Sequence, residues 1–534
     1  MIRADHPRRR VLSALFSLAL VATACGSGGD NEAGEEGRIV DANAQQAAQD
    51  AIQNTTTTAA ASAADAPATI TSMDDYQALW ASQRQTIIDD IKANGWGWDQ
   101  TANKVTGPGF EVDLGKCGAG WDPYGGLEGG VIKIGQTIPA SGIAADWTNA
   151  GFAEGVYYDY VNTQGGITDL TGKTYTITSD RRDDSYDPAK TVPLVDELLD
   201  SEGSFMIKTT GSPNTLKVYD KLNARCVPNP YVISGHPAWG DPVNHPWTWG
   251  NLLAYNTEAV LWGNLITSRL ADQDQITVAA LIMQNDFGKA YEVGFQNFIA
   301  SSDATINFVF ERVDPTAVVI TSQMTTLAAA NPDVFIAMTG GTPCTQAILE
   351  AANNGLKDSA KMLFQPSVCK AMTYVGKDAV GGDGSASDGW LIVGGGVKDF
   401  NDSALLDDPW VAFARKLLTD AGKAPESSGL LNMGFNHSWP VVESLKIAAE
   451  LPGGVSRPNF MLAARVLSMT NPNLLDGVKY NMKGAEDPYP TEGSDISRFD
   501  ATKQSWVIDP DIGIVELSGK SAPCHWDLGT GSCS

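Results

Sequence analysis

The sequence predicts an α/β protein with two lobes, each built from a parallel sheet with helices packed on it. Between residues 131 and 212, short apolar strands alternate with helix-length amphipathic segments. A second alternation of the same kind runs from residue 261 to residue 367. Strand–helix–strand order with right-handed crossovers makes neighbouring strands parallel. Two such runs therefore predict two similar lobes.

The first run is the clearer of the two. An apolar strand at residues 131–135 is followed by a helix at residues 147–161, whose apolar residues repeat every three to four positions. A strand at residues 174–179, a helix opening at Pro188 and a strand at residues 205–207 complete it. In such sheets, small molecules bind outside the carboxyl ends of the strands. The loops at those ends are small, rich in hydroxyl groups and glycine, and are candidate binding loops.

The second run repeats this order. Its apolar segments end in loops that contain Asn, Gly, Thr or Ser, as in the first run. The predicted elements are helices at residues 261–270, 322–330 and 347–354, and strands at residues 277–282, 306–312, 333–338 and 361–364.

The motifs of the first run occur in a characteristic order. They are IKIGQTIPASG, NTQGGI, GKTY, DDSYDPAKTVPLVDELL and TTGSPNT. The series resembles the leucine/isoleucine/valine-binding protein family, the type I solute-binding proteins that serve ABC importers. The resemblance extends over residues 127–517 and implies a periplasmic binding protein type I fold, with Rossmann-like lobes joined by a multi-strand hinge. It also implies capture of a small polar solute between the lobes, with no catalysis and no cofactor.

The domain organisation follows from these patterns and the resemblance. It comprises a lipoprotein signal peptide at residues 1–25, a disordered tether at 26–69, an N-terminal extension at 70–128, lobe 1 at 129–251 and 395–480, lobe 2 at 252–394 and 481–520, and a C-terminal tail at 521–534.

The N-terminus has the pattern of an export signal. Arginines precede an apolar stretch at residues 11–22 that is too short to cross a bilayer. The sequence Ala22-Thr23-Ala24-Cys25 resembles a bacterial lipobox, although leucine is commoner at its first position. We expect a lipid on Cys25 and anchoring at the extracytoplasmic face of the cell membrane. The alternatives are ordinary cleavage near Ala24 and, from the adjacent arginines, twin-arginine export.

Two segments separate this signal from the first lobe. Residues 26–67 have few large apolar side chains and should not form a core. Residues 72–94 form an amphipathic pattern with Tyr76, Trp80 and Ile88 on one face. We expect this helix to pack on the body as an extra layer; the alternative is a helix for a partner or a dimer.

Charge and cysteine content restrict the function. The net charge of −26 argues against nucleic acid as a partner, because phosphates need a basic surface. Apart from Cys25, the cysteines are even in number, which is typical of disulfides in an exported protein. Proximity and predicted strand positions favour the pairs Cys524–Cys533 and Cys344–Cys369, which leaves Cys117 with Cys226. No metal site is predicted, because no Cys-x-x-Cys or histidine pair has ligand spacing.

The candidate ligand-binding residues lie in the loops at strand ends or in aromatic stretches near the expected cleft. They are Ser141, Trp147, Thr210, Gly211, Ser212, Ser234, Gly235, His236, Trp239, Phe287, Gln365, Ser367 and Phe435. The resemblance implies that Thr210 and Ser212 hold a carboxylate and that Phe287 contacts the ligand. The aromatic residues would form an apolar enclosure; the alternative, which applies most to Trp239 and Phe435, is ordinary packing in the core or hinge.

One departure from the family bears on the ligand. Amino-acid-binding relatives carry an acidic residue in the second lobe that pairs with the ammonium group. The best-aligned stretch here offers Gln365 and Ser367, and Asp286 is the alternative source of a negative charge. Burying an ammonium without a counter-charge is unfavourable. We therefore expect an amide, a polyol or a carboxylate without an amine, rather than an ordinary amino acid.

Two other functions remain open from the sequence. A secreted hydrolase would use Ser141 or Ser212 as nucleophile with His236, His245 or His437 as base, but no Gly-x-Ser-x-Gly elbow is present. A ligand-sensing ectodomain would act on a separate membrane receptor. Delivery of a solute to an ABC permease explains the same residues with fewer assumptions.

Overall fold

The computed structural model describes residues 42–53 and 70–534, which lie in one compact unit. Cys25, the signal peptide and most of the tether fall outside the described residues. The helices are α1 (Ala42–Gln53), α2 (Met73–Ala93), α3 (Thr148–Thr163), α4 (Pro188–Asp196), α5 (Ser212–Ala224), α6 (Tyr255–Arg269), α7 (Asp286–Ser301), α8 (Thr321–Ala329), α9 (Thr342–Asn353), α10 (Leu356–Ser359), α11 (Met372–Val375), α12 (Lys377–Val380), α13 (Pro409–Asp420), α14 (Leu431–Ala449) and α15 (Arg457–Arg465). The strands are β1 (Gly97–Asp99), β2 (Lys104–Gly107), β3 (Phe110–Asp113), β4 (Val131–Thr137), β5 (Ile167–Thr168), β6 (Thr174–Arg182), β7 (Met206–Lys208), β8 (Asn229–Val232), β9 (Thr248–Gly250), β10 (Ile276–Met283), β11 (Ile306–Val313), β12 (Val334–Met338), β13 (Met362–Gln365), β14 (Leu391–Val393), β15 (Ser494–Asp500), β16 (Ser505–Ile508), β17 (Ile514–Val515), β18 (Trp526–Asp527) and β19 (Ser532–Cys533).

The first lobe is organised around a sheet with the order β5-β6-β4-β7. Strand β4 is parallel to both neighbours, with Ile134 beside Ser179 of β6 and Met206 of β7. An isolated parallel bridge between Thr210 and Ile233 continues the array toward β8. The parallel arrangement predicted from the first run is therefore present, and its strand ends share one edge.

The second lobe has a larger sheet with the order β11-β10-β12-β13-β14-β15-β16. Strands β10 to β14 are parallel, whereas β15 returns antiparallel to β14 from the end of the chain. Strand β10 is buried along nearly all its length, which explains its continuous apolar sequence. Both sheets together give the type I fold that the sequence predicts.

Helix α2 packs against the first lobe as an extra layer, as expected. Ser72 caps its N-terminus by accepting a hydrogen bond from the Asp75 N–H. Trp80 is fully buried, and its indole N–H donates to the Thr470 carbonyl at 2.8 Å. Arg84 pairs with the buried carboxylate of Glu443 on α14. This face of α2 is thus occupied by the protein's own core.

Helix α1 departs from the prediction of a disordered tether. Ala44, Ala48 and Ile52 are buried at intervals of four residues, and Ala48 and Ile52 join the core of the second lobe. Gln45 accepts a hydrogen bond from Ser301 on α7 at 2.8 Å. Small alanine side chains let the helix approach closely, so a segment poor in large apolar residues can still dock.

Helix α14 includes an aromatic stretch that the sequence predicts near the cleft. Residues 434–438, which contain the candidate ligand-binding residue Phe435, lie inside the helix, which also contains Pro440. Phe435 is fully buried and contacts the rings of Tyr157 and Trp410. Aromatic and small residues here pack in the lobe's core instead of lining the cleft.

Three disulfides connect the cysteines in the pairs that the sequence favours: Cys117–Cys226, Cys344–Cys369 and Cys524–Cys533. The first joins the N-terminal extension to the first lobe, and the second fastens α9 to the loop after β13. The third closes the C-terminal hairpin of β18 and β19.

Replacing Cys117 and Cys226 by serine should lower the free energy of unfolding by about 2–5 kcal/mol. The pair is separated by 109 residues, so its loss releases a long loop in the unfolded chain. Urea unfolding followed by tryptophan fluorescence measures the change. The Cys524/Cys533 double serine variant, which opens a separation of 9 residues, is the comparison and should lose less. An equal or greater loss of stability in the Cys524/Cys533 variant would show that the length of the closed loop does not determine the effect.

No helix among the described residues is long and apolar enough to cross a membrane.

Candidate functional site

A cavity of about 60 Å³ lies where the carboxyl ends of the two parallel sheets face each other. Its lining comes from both lobes and from the segments that connect them. The lining residues are Trp147, Ala150, Tyr186, Gly211, Ile233, Leu252, Leu253, Tyr255, Phe287, Ser367, Val368, Lys370, Ala371, Gly394, Gly395, Val397, Asp399, Gly429, Leu430, Asn432 and Met433. Most of these are aromatic, aliphatic or glycine, and few are polar.

The wall from the first lobe is built on two aromatic rings. Trp147 and Tyr186 meet edge to face with centroids 5.2 Å apart. Gly211, which follows β7, has a φ of +89°, and a Cβ there would lie 2.3 Å from Tyr186 Cε2. Only glycine provides both this backbone conformation and the close approach of the tyrosine ring.

The wall from the second lobe is also aromatic. Phe287 lies in the first turn of α7, where Asn285 caps the helix, and its ring packs edge to face on Tyr255 at 5.1 Å. Tyr291 stacks on Tyr255 at 4.5 Å and continues the cluster away from the cavity. The aromatic pairs make this wall apolar and hold its shape.

The polar part of the lining comes from the chain near the hinge. The Lys370 ammonium bonds both oxygens of Asp495, at 2.9 and 3.0 Å, and the Val397 carbonyl at 2.9 Å. Asp399 accepts N–H bonds from Met372 and Asn401, and burial raises its pKa to about 6. Near neutral pH Asp399 is therefore mostly ionised, and the Lys370–Asp495 ion pair lies on the same side of the cavity.

The rims of the cleft touch, so the structure is a closed form. Thr342 donates its hydroxyl to the Ile143 carbonyl at 3.1 Å. The Trp147 indole N–H donates to the Tyr374 hydroxyl at 3.2 Å. Both bonds connect the loop before α3 in the first lobe with the second lobe. Trp147 thus lines the cavity and also fastens its edge.

Glu258 on α6 is a buried carboxyl directly behind the lining. Its oxygens accept the Ser367 N–H at 2.7 Å, the Ser367 hydroxyl at 2.8 Å and the Tyr291 hydroxyl at 2.7 Å. Burial raises the pKa of Glu258 to about 8, against these hydrogen bonds, which lower it. It is therefore mostly protonated at neutral pH and fixes Ser367 at the cavity.

This burial predicts a pH dependence of stability. The folded-state pKa of Glu258 lies above its ordinary value of 4.5, so the folded protein binds this proton more tightly than the unfolded chain. The stability that protonated Glu258 contributes is fully present below pH 4.5. It is lost as the pH rises toward 8, and the free energy of unfolding falls by up to about 1.4 kcal/mol per pH unit. Glu258→Gln, which imitates the protonated acid, should show a smaller fall in melting temperature between pH 5 and pH 9.

The exposed Glu111 provides the control for that experiment. Glu111→Gln should retain the wild-type slope of melting temperature against pH. An unchanged slope in Glu258→Gln would show that this carboxyl does not titrate as argued.

Four of the predicted ligand-binding residues line the cavity: Trp147, Gly211, Phe287 and Ser367. Ser141 lies on the exposed side of its loop and bonds the Ser185 hydroxyl at 2.7 Å. Gln365 is buried and donates to the Cys344 carbonyl at 3.0 Å. Asp286, the alternative source of a negative charge for an ammonium group, is the first residue of α7 and is not among the lining residues.

The remaining predicted residues lie behind or beside the lining. The Ser212 and Ser234 hydroxyls bond each other at 2.9 Å, and both side chains are fully buried. Gly235 contacts the segment that leads into α6, and its carbonyl accepts the Tyr255 N–H at 2.7 Å. Thr210, His236, Trp239 and Phe435 are likewise buried away from the cavity surface.

His236 and Trp239 belong to a different contact. The His236 ring packs against Trp526 of the C-terminal hairpin at 4.4 Å, and Trp239 lies in the same apolar cluster. Burial lowers the pKa of His236 to about 3, so the ring is neutral. These residues stabilise the hairpin against the first lobe.

Sequence reasoning missed the residues that the connecting segments contribute. Tyr186 lies within an acidic loop, and Lys370, Asp399 and Tyr255 lie beyond the strand ends. The sequence contains one indication of this wall, because Gly211 after β7 leaves space for a bulky side chain, which the structure identifies as Tyr186. The others are brought to the cavity only by the hinge.

The arrangement, with a cavity between two lobes, is typical of proteins that bind a small molecule in a cleft. The model of the family described as periplasmic binding protein matches residues 131–391. Over these residues the chain matches the family in its type I, leucine/isoleucine/valine-binding-like form. Proteins of the family act outside the cytoplasm.

Solved structures have the same fold at low sequence identity. A fatty acid ABC transporter substrate-binding protein from Thermomonospora curvata is 18% identical, with a TM-score of 0.58, covering 73% of this chain and 94% of its own. A branched-chain amino acid ABC transporter protein from Thermus thermophilus with bound valine is 14% identical, with a TM-score of 0.60 and coverages of 72% and 97%. A solute-binding protein from R. palustris in complex with benzoate is 17% identical, with a TM-score of 0.55 and coverages of 75% and 98%. No curated protein sequence matches the chain.

Proposed function

We propose that this protein captures a small solute with an apolar body and a single carboxylate or amide group, and delivers it unaltered to an ABC importer. A lipid on Cys25 would hold it at the outer face of the cell membrane. The observation that carries the proposal is the cavity between the lobes, lined by Trp147 and Tyr186 from one lobe and Phe287 from the other.

The lining supports an apolar body for the solute. Aromatic rings and aliphatic side chains gain most when they exclude water from apolar surface. A polyol would place several hydroxyl groups against these rings without hydrogen-bond partners, which is unfavourable. Of the three solute classes expected from the sequence, namely an amide, a polyol and a carboxylate without an amine, the polyol therefore fits this cavity least.

The polar group of the solute has two places to bind. Helix α5 begins at Ser212, beside Gly211 of the lining, and the N–H groups of a helix N-terminus favour an anion or a carbonyl oxygen. Lys370 lies on the hinge side and is already paired with Asp495. We place the carboxylate or amide of the solute near Gly211, at the start of α5.

An amino acid would need a carboxylate for its ammonium group. Asp399 is the acidic residue of the lining, and it already accepts two backbone N–H bonds beside Lys370. Glu258 is mostly protonated and is bonded by Ser367. Glu258 therefore offers no negative charge, and the charge of Asp399 is opposed by the nearby Lys370, which supports a solute without an amine.

The geometry of the candidate nucleophiles favours binding over hydrolysis. Among the described residues, the hydroxyls of Ser141 and Ser212 bond other serine hydroxyls. His437 is fully buried, and burial lowers its pKa to about 3. A serine nucleophile needs an imidazole within hydrogen-bond reach, and neither serine has that arrangement.

Isothermal titration of the purified protein with benzoate, hexanoate, benzamide, valine and sorbitol tests the proposal. We expect one site per chain with a dissociation constant near or below 1 µM, about −8 kcal/mol, for an acid or amide of this set or a close homologue. Phe287→Ala should abolish the signal, and Phe310→Ala, at an exposed ring on β11, should keep it. Micromolar binding of valine, or of sorbitol alone, would overturn the assigned class.

A further inference from the structure

Asp241, His245 and His525 form a cluster of potential metal ligands at a distance from the cavity. Their donor atoms all lie within 4.8 Å of one another. Asp241 Oδ2 is 3.0 Å from His245 Nδ1 and 2.7 Å from His525 Nδ1. His525 is 284 positions from Asp241, so no local spacing in the sequence reveals the group.

The fold fixes these side chains before any ion binds. Asp241 Oδ1 accepts the N–H and the side-chain amide of Asn244, at 3.1 and 2.9 Å, which leaves Oδ2 to face both imidazoles. The Tyr219 ring stacks on His245 with centroids 3.8 Å apart. Next to His525, the Cys524 N–H donates to the Gly240 carbonyl at 2.9 Å. A site whose ligands are held in place in this way binds an ion without the entropy loss of ordering them.

The surroundings of His245 point to a cation. Its Nε2 is 2.9 Å from Asp220 Oδ1, and its Nδ1 is 3.0 Å from Asp241 Oδ2. A neutral imidazole has one N–H, so one of these nitrogens would direct its lone pair at a carboxylate oxygen. A second proton or a metal ion removes that repulsion. A carboxylate that orients the far nitrogen of a ligating histidine is the usual support of a metal site.

Asp241 is also suited as a ligand. Its Oδ2 faces the Nδ1 atoms of both imidazole rings, so the three donor atoms converge. The side chain is 3% exposed, whereas that of His525 is 47% exposed. The ligands therefore combine a buried carboxylate with a half-exposed imidazole, which leaves an open side for water.

We propose that Asp241 Oδ2, His245 Nδ1 and His525 Nδ1 bind a divalent first-row transition-metal ion of the zinc type. Two imidazoles and one carboxylate suit zinc, nickel or copper, whereas calcium and magnesium prefer oxygen ligands throughout. Water from the open side would complete a tetrahedral set. Asp220 would act through His245 as a positioning residue.

The ion would fasten the C-terminal hairpin to the first lobe. Trp526 of the hairpin already packs on His236, and Gly531 faces Lys289 of α7 in the second lobe. The hairpin thus contacts both lobes, and His525 is its only imidazole. Metal binding should raise the melting temperature and protect the hairpin from carboxypeptidase.

Titration of the untagged, EDTA-treated full chain with zinc chloride, in millimolar calcium and magnesium, tests this site. We expect one zinc ion per chain. His525→Gln should weaken binding by more than 100-fold, because removal of a ligand exceeds the roughly 10–100-fold effect of losing its support. Asp220→Asn should show that smaller effect. Asp89→Asn, at an exposed acid on α2, should bind as the wild type does.

Zinc K-edge absorption on the same samples should show two imidazole nitrogens among the ligands. His525 is half exposed, so His525→Gln should melt within about 2 °C of the wild type without metal, which separates lost binding from misfolding. Absence of stoichiometric zinc binding, or equal affinity in His525→Gln and the wild type, would overturn the site. The second result would show that zinc binds only the acidic surface.

Discussion

Lys208→Met should lower the free energy of unfolding by about 3–5 kcal/mol, because it leaves the buried Glu154 carboxylate without its counter-charge. Lys208 on β7 and Glu154 on α3 are 1% and 0% exposed, and their charged atoms are 2.6 Å apart. The ammonium also donates to the His437 carbonyl at 3.2 Å. The Lys208 ammonium thus connects β7 with α3 by an ion pair and with α14 by a hydrogen bond, in the core of the first lobe.

Urea unfolding of Lys208→Met, Glu154→Gln and the double variant forms the test. The double variant should recover part of the loss, since no charge is then left unpaired. Lys416→Met is the matched control, because its partner Asp420 and Lys416 itself are both exposed, and it should change stability by less than about 1 kcal/mol. Equal effects of Lys208→Met and Lys416→Met would contradict the role of the buried pair.

Gly211→Ala should weaken solute binding at least about tenfold, or roughly 1.4 kcal/mol, by displacing the Tyr186 ring from the cavity wall. The added Cβ would lie 2.3 Å from Tyr186 Cε2, and the φ of +89° is unfavourable for alanine. Calorimetry with the solute identified in the screen measures the change. The effect should be on affinity more than on stoichiometry, because the rest of the wall remains.

Gly203→Ala is the control for this substitution. Gly203 also has a positive φ, of +65°, but no atom lies within 4 Å of the position of its Cβ. Gly203→Ala therefore introduces backbone strain, which costs of order 1–3 kcal/mol in stability, but it displaces no neighbouring side chain. Normal affinity in Gly203→Ala and weakened affinity in Gly211→Ala would assign the effect to Tyr186. Equal solute affinities in Gly203→Ala and Gly211→Ala would refute the role of the Tyr186 ring.

The sequence predicted the alternating elements well, because each has a local cause. Continuous apolar residues make β10 a buried strand, and Asp187 and Pro188 mark the start of α4. Helix boundaries were less accurate where the first turn is polar or small. Helix α9 begins at Thr342, ahead of the predicted start at residue 347, since Gly341 and Pro343 suit the first turn of a helix as well as a loop.

The cavity was predictable where it depends on strand ends. Trp147, Gly211, Phe287 and Ser367 all follow β-strands, and parallel strands bring such positions to one edge. Lys370 and Asp399 are placed by the hinge, whose path has no local signal. Phe435 shows the opposite error, because an aromatic residue beside glycine fits a helix in the core as well as a cleft loop.

Native mass spectrometry of the protein, incubated with the solute and then separated from excess, tests most directly whether the cleft holds a guest without changing it. We predict a 1:1 complex whose released guest has the mass of the original solute, and loss of that complex in Phe287→Ala. A released molecule of altered mass, or no retained guest with any acid or amide of the panel, would contradict the account.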